Sequence, residues 1–329
     1  MGESPPFAGI ASFLKAPYMA DPRSDDAEVA ILGIPYDEAT TARPGARYGP
    51  RAMRDASTNW AYREAATPFY DGEADTDLLG GVRFVDSGDV DLPPTAQPER
   101  SHPLIGARVG RLLEHQLFPV VLGGDHSITY PILKAFGRRP LHLVQFDTHM
   151  DYWNDESGML YTHASPIVRS HENGLVQRVT QYGIRGLHTA ADQIELARER
   201  GVTTFWCEQA KCTPVADLVA HIEPGEDVYI TFDIDVLDPS IAPGTGTPEP
   251  GGFSYYEAKA ILRAVALRAH VIGMDMVEVN PLYDPMEITA LHAVRLIFDG
   301  VGAALQNKQS AATQPLSRLS ALRPSCNPA

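Results

Sequence analysis

The sequence has almost no cysteine: Cys207, Cys212 and Cys326 are the only three in 329 residues. A small, odd number excludes a disulfide-stapled secreted scaffold and makes a reducing, cytoplasmic setting the expectation. No second ligand pair lies near Cys207 and Cys212, so a structural zinc site is not expected there. There is no unbroken run of about 18 apolar residues, so no bilayer-crossing helix is expected. MGESPPFAGI has no basic stretch followed by an apolar one, as a secretory signal would. Positive charge is also scarce, with 27 Lys+Arg against 42 Asp+Glu and a net charge of −15. That balance opposes a nucleic-acid-binding surface and attachment to an anionic membrane. It is compatible with a small cationic substrate.

What is present is an ordinary globular composition, with 44% hydrophobic and 21% charged residues. Residues 1–25, rich in Pro, Asp and Ser, read as an N-terminal surface arm. A single domain is expected over 26–306, followed by a disordered tail over 307–329. A strand begins at Val29 in VAILGIPYD, and Gly45, Gly49 and Pro50 lead into a helix. The stretch from Pro93 to Pro98 reads as a loop, and a helix is expected from about His102 to Gln116. FPVVLGG, LHLVQFD, DVYITFD and AHVIGMDMVEV read as short strands buried on both faces. IELARERG reads as a helix closed by Gly201. FSYYEAKAILRAVALRAH starts with Ser254 and Glu257 at capping-box spacing. A last helix is expected from about Glu287 to Gln306. Alternating strands and helices imply an α/β fold, a parallel sheet with helices on both faces.

Three strand ends carry metal-type ligands. The first is VVLGGDHS, where Gly123 and Gly124 allow close backbone approach before Asp125 and His126. In LVQFDTHMDYW, Asp147, His149 and Asp151 alternate, which in an extended segment places all three on one face. VYITFDIDVLDPS repeats the spacing with Asp233 and Asp235. Sites in open α/β sheets form at the carboxyl ends of strands. His126, Asp147, His149, Asp151, Asp233 and Asp235 together offer two imidazoles and four carboxylates, a negative charge that burial does not tolerate uncompensated. Two divalent cations would balance it. Mixed nitrogen and oxygen donors suit Mn²⁺ first, with Ni²⁺ among the alternatives. Any one of these residues alone reads as a helix cap, a turn residue or a hydrogen-bonded structural histidine. The joint pattern reads as a dinuclear centre.

These motifs resemble the ureohydrolase family of arginases and agmatinases. The matching stretches are GGDHS at 123–127, FDTHMD at 146–151, FDIDVLDPSIAPGTGTPEPGG at 232–252 and MDMVEVNP at 274–281, with RPGARYGPRAMR at 43–54. The resemblance implies a three-layer α/β/α sandwich around a mainly parallel sheet, and two divalent ions held by the six residues above. It implies that His163, in YTHASP, carries a proton to the leaving amine. Glu278, in MVEVNP, would hold the guanidinium, and Asp151 would help stabilise the intermediate. The implied reaction is hydrolysis of a guanidino compound to urea and an amine. Homotrimers or homohexamers are implied by analogy, and a hetero-oligomer with a paralogue is a further possibility.

Around the ligands the sequence departs from its relatives. Thr148 replaces the usual Ala, Met150 the usual Ala or Thr, and Tyr152-Trp153 follow Asp151. Trp153 stands where arginases use Asn on the amino-acid end of the substrate, and His188 stands near the acid that binds the α-amino group. Arginine is therefore not the expected substrate. Agmatine is the nominal one, with guanidinobutyrate, formiminoglutamate and compact or N-alkylated guanidines or biguanides as competitors. Trp153 either covers a substrate tail at the mouth or packs against its own loop. A non-catalytic partner subunit would be expected to have lost ligands, and a metal-dependent deacetylase would use fewer carboxylates.

Overall fold

The computed structural model describes residues 5–61, 69–154 and 158–313. Its ten strands are β1 (Val29–Gly33), β2 (Phe69–Asp71), β3 (Thr76–Leu78), β4 (Phe84–Asp89), β5 (Phe118–Leu122), β6 (His142–Phe146), β7 (Arg178–Ile184), β8 (Thr203–Trp206), β9 (Asp227–Asp233) and β10 (His270–Val277). The helices are α1 (Gly49–Ser57), α2 (Pro98–Glu114), α3 (Thr129–Ala135), α4 (Pro166–Glu172), α5 (Ala191–Glu199), α6 (Cys207–Cys212), α7 (Val215–Leu218), α8 (Tyr255–Arg268) and α9 (Ile288–Thr313).

Eight strands form one sheet in the order β4-β1-β5-β10-β9-β6-β7-β8, and every neighbouring pair in it is parallel. β2 and β3 make a separate antiparallel hairpin. Successive strand side chains point to opposite faces, and the core divides accordingly. Val29, Ile31, Val120 and Leu122 pack with α1, α8 and α9 through Met53, Leu262, Val265, Val294 and Ile297. Ala30, Leu32 and Val121 face the other way, onto Ile105, Val109, Ile132 and Val168 of α2, α3 and α4. The result is the expected three-layer α/β/α sandwich.

Local chemistry explains most element ends. Ser254 and Glu257 form a reciprocal capping box at the start of α8, and Gly201 follows α5 at φ +73°. α2 begins earlier than its sequence suggests, because Pro98 occupies its first turn, where a missing N–H costs nothing. α9 continues past Gln306 to Thr313, so 307–313 are helical, while the rest of the expected tail lies outside the described residues. By length and composition α9 could cross a bilayer, with a mean hydropathy of 1.5 in an 18-residue window within Ile288–Lys308, but 72% of that window is buried against the rest of the protein. It is the central core helix of one layer. Within the N-terminal arm, Phe13 is fully buried and its amide donates to Asp86 Oδ2 at 2.8 Å. Part of the arm is therefore anchored on the domain.

Candidate active site

β5, β10, β9 and β6 are consecutive in the sheet and run the same way, so their carboxyl ends share one edge. In register, Met276 pairs with Leu122, Val277 with Asp233, and Phe146 with Phe232. The residues that follow therefore leave the sheet side by side: His126 after β5, Asp147 after β6, Asp235 after β9 and Glu278 after β10.

Gly124 makes the first turn possible. A Cβ there would sit 1.8 Å from the Tyr36 carbonyl oxygen. Asp125, fully buried, accepts from Ser127 N at 3.0 Å and Ala39 N at 3.0 Å. It fixes the loops on either side, and burial together with the Glu278 charge pushes its pKa up to about 7. Past β6 the geometry differs from the sequence expectation. Asp147, His149 and Asp151 lie in a loop, not on a pleated strand, and Asp151 has φ +53°. They converge because the loop turns back on itself, with His149 N donating to Asp147 Oδ1. Glu278 has φ +62°. A left-handed conformation at a non-glycine residue costs on the order of 1–3 kcal/mol and concentrates at functional sites.

Six side chains meet at this edge. His126 Nδ1 lies 2.9 Å from Asp151 Oδ2, 3.0 Å from Asp147 Oδ2 and 3.3 Å from Asp233 Oδ2. His149 Nδ1 lies 3.1 Å from Asp235 Oδ2 and 3.6 Å from Asp147 Oδ1. Two groups, His126/Asp147/Asp233 and Asp147/His149/Asp235, each bring one donor atom per residue within 4.8 Å of the others, and they share Asp147. His126 Nδ1 and Asp151 Oδ2 have no hydrogen-bond partner although both are buried. Mixed imidazole nitrogen and carboxylate oxygen, buried, converging and unsatisfied, is a donor set that fits two divalent cations.

Without cations the charge is poorly balanced. Burial and the neighbouring Asp147 raise Asp151 to about 6. Burial, then Asp235 and Asp147, raise Asp233 well above the carboxylate range. Burial would also raise Asp147, but the adjacent His126 and His149 imidazoles outweigh it and hold it low. Both imidazoles are pulled up by the carboxylates against their own burial.

Beside the cluster, His163 Nδ1 is 3.2 Å from Glu278 Oε1, and its Nε2 is 2.8 Å from Thr41 Oγ1. Burial lowers its pKa, but the Glu278 carboxylate outweighs that and brings it up to about 9. Glu278 Oε1 also accepts from His126 N at 2.9 Å, while Oε2 has no hydrogen-bond partner among the described residues. Trp153 and His188 make no side-chain hydrogen bond to the cluster. Trp153 lines a small cavity of about 120 Å³ with Tyr152, Asn154 and Asp192, and His188 is exposed on the loop after β7. Sequence reasoning missed Thr41 and Asp275. Asp275 had a signal, an acid inside the apolar strand VIGMDMV.

Comparison with known proteins agrees with this geometry. The profile of the Arginase family matches residues 27–302. A guanidinopropionase from Pseudomonas aeruginosa is 36% identical over 307 residues, 90% of this chain and 92% of the relative. An agmatinase from Photorhabdus laumondii is 37% identical over 286 residues, 85% of this chain and 88% of the relative. The solved structure of proclavaminate amidino hydrolase from Streptomyces clavuligerus superposes with a TM-score of 0.83 at 32% identity, covering 92% of this chain and 100% of that one. The chain belongs to the arginase family, the ureohydrolases whose motifs it carries.

Proposed function

We propose that the protein is a metal-dependent amidinohydrolase that cleaves a guanidino compound other than arginine into urea and an amine. The observation that carries this is the adjacency of the six-residue nitrogen and oxygen cluster to the His163–Glu278 pair on one sheet edge. His126, Asp147, His149, Asp151, Asp233 and Asp235 would hold two divalent ions, Mn²⁺ before Ni²⁺. When bound, such a pair supplies an activated water at neutral pH and a positive field for developing charge.

The chain's own residues do the rest. Glu278 Oε1 is held by His126 N and His163, which leaves Oε2 to orient a guanidinium by charge-assisted hydrogen bonds. His163 delivers a proton to the departing nitrogen as the C–N bond breaks. Asp151, held in a left-handed turn with Oδ2 at 2.9 Å from His126 Nδ1, would help stabilise the intermediate formed at the cluster.

Relatives named guanidinopropionase and agmatinase are about equally similar to this chain, at 36% and 37% identity. One name implies an anionic substrate tail and the other a cationic one, so similarity alone does not choose between them. The cavity beside Trp153 is lined by residues 152–154 and by α5 and the residue before it, not by the cluster, His163 or Glu278, so compact or N-alkylated guanidines, biguanides and short guanidino compounds stand as candidates beside agmatine. The test is urea release across a panel of agmatine, 4-guanidinobutyrate, 3-guanidinopropionate, methylguanidine, biguanide, arginine and formiminoglutamate, on chelated, Mn²⁺-loaded and Ni²⁺-loaded protein. Metal-dependent urea release from a non-arginine substrate is expected. Formamide as the sole product, or turnover surviving chelation, would overturn the proposal.

A further inference from the structure

Beneath the cluster, inside the sheet, lies a polar chain that the reaction above does not use. Asp275 on β10 is fully buried and accepts from Thr231 Oγ1 at 2.6 Å, Thr129 Oγ1 at 3.0 Å and the Tyr229 hydroxyl at 3.0 Å. All three donors are neutral. Thr231, on β9 and also fully buried, has two further contacts, with His126 Nε2 at 2.8 Å and, longer, with Thr129 Oγ1 at 3.2 Å, whose own proton is directed at Asp275.

A threonine hydroxyl has one proton to give. The Thr231 proton is directed at Asp275, whose carboxylate can only accept. The Thr231 oxygen must then accept from His126, which places a proton on Nε2 and, in the neutral imidazole that a cation requires, leaves Nδ1 as a lone pair. That lone pair is the buried atom without a hydrogen-bond partner, and it faces oxygens of Asp147, Asp151 and Asp233. His149 has no comparable brace, because among the described residues its Nε2 meets no hydrogen-bonding side chain.

We propose that Asp275 and Thr231 are positioning residues, forming a buried relay from Asp275 through Thr231 to His126. The relay sets the tautomer and ring orientation of His126 and so presents Nδ1 as a cation ligand. A ligand histidine held through its second nitrogen binds metal more tightly, and loss of such a support typically weakens binding about 10–100-fold. Only one of the two cation positions includes His126. The relay therefore acts on that position and spares the one built on His149 and Asp235. This inference rests on the reading of the cluster as a dinuclear centre.

The experiment is calorimetric titration of Mn²⁺ into the ion-stripped full-length chain, for wild type, Thr231→Val and Thr231→Ser, with far-UV circular dichroism to confirm folding. Two ions should bind wild type, and none binding would refute the dinuclear reading itself. Thr231→Val should weaken one site by about 10–100-fold and leave the other within roughly threefold, with Thr231→Ser restoring wild-type behaviour. Two unchanged affinities in Thr231→Val, or equal weakening of both, would overturn the relay while leaving the dinuclear reading intact. If Thr231→Val does not fold, nitrogen NMR of ¹⁵N-histidine-labelled, Zn²⁺-loaded wild type decides. A proton on His126 Nε2 supports the relay, and a proton on Nδ1 refutes it.

Discussion

Replacing His163 by Asn separates proton transfer from substrate binding. The imidazole is 9% exposed and lies 3.2 Å from Glu278 Oε1, and the Glu278 charge outweighs burial to bring its pKa up to about 9. The same carboxylate therefore favours the protonated ring. Cations held at the cluster would lower that value, toward the range where a group gives and regains a proton readily. Removing a positioned general acid typically costs about 10²–10⁴-fold, which at about 1.36 kcal/mol per decade is roughly 3–5 kcal/mol. Glu278 remains, and its Oε2 never depended on the histidine, so KM should stay within roughly threefold. Initial rates of urea release at saturating substrate, on variant and wild type loaded to the same metal content, measure both quantities. Added imidazole should restore part of the rate. A kcat within about tenfold of wild type, or a KM that rises as steeply as kcat falls, would refute the assignment of His163 as proton carrier.

Two further predictions concern the scaffold. Arg54, 8% exposed, donates to Asp86 at 2.8 and 3.0 Å and to Asp89 at 2.6 Å. Arg54→Met leaves the 2% exposed Asp86 without its cation and should cost about 3–5 kcal/mol in urea denaturation at neutral pH, with partial recovery on adding Asp86→Asn. A loss below about 1 kcal/mol would show that the clamp is replaceable. His102 packs against the stacked Tyr130 and Tyr161 rings, at centroid distances of 5.6 and 5.0 Å, and burial lowers its pKa from 6.5 to about 4. The unfolded chain then takes up a proton below pH 6.5 that the folded chain refuses until about pH 4. Stability present above pH 6.5 is thus lost across that window, by about 3 kcal/mol in order of magnitude. In the ion-free protein, His102→Phe should remove this part of the acid sensitivity. Equal losses of stability in the two proteins between neutral pH and about pH 4 would contradict it.

The strands that were legible in the sequence are those in which apolar side chains dominate the buried faces, even where a Gln145, Thr231 or Asp275 interrupts them. VAILG is buried at all five positions, and β5, β9 and β10 read the same way. β7 escaped notice because its interior is polar. Gln181 is fully buried and donates to Gln145 Oε1 and the Met150 carbonyl, and Thr180 is held between His142 and His221. Such satisfaction comes from distant residues and leaves no local pattern. The six cluster residues were legible because their types and strand-end positions are local. The reason given for their convergence past β6 was not, since a turn through positive φ at Asp151 replaces the expected pleat. Thr41 could not have been found from sequence. It reaches His163 only because two loops 122 residues apart meet at the sheet edge.

The three strands that bear the cluster, β5, β9 and β6, lie in the interior of the sheet, each hydrogen-bonded on both sides. Strand pairing can slip by two residues and still bury the same faces, so apolar packing alone tolerates a misaligned sheet. Such a slip moves one strand end by about 6.6 Å relative to its neighbours. His126, Asp147, Asp233 and Asp235 come from three different strand ends, and that offset would separate them beyond the reach of a shared ion. Cations held there would therefore favour the native alignment over its nearest competitors, so that the centre would check the register of its own sheet.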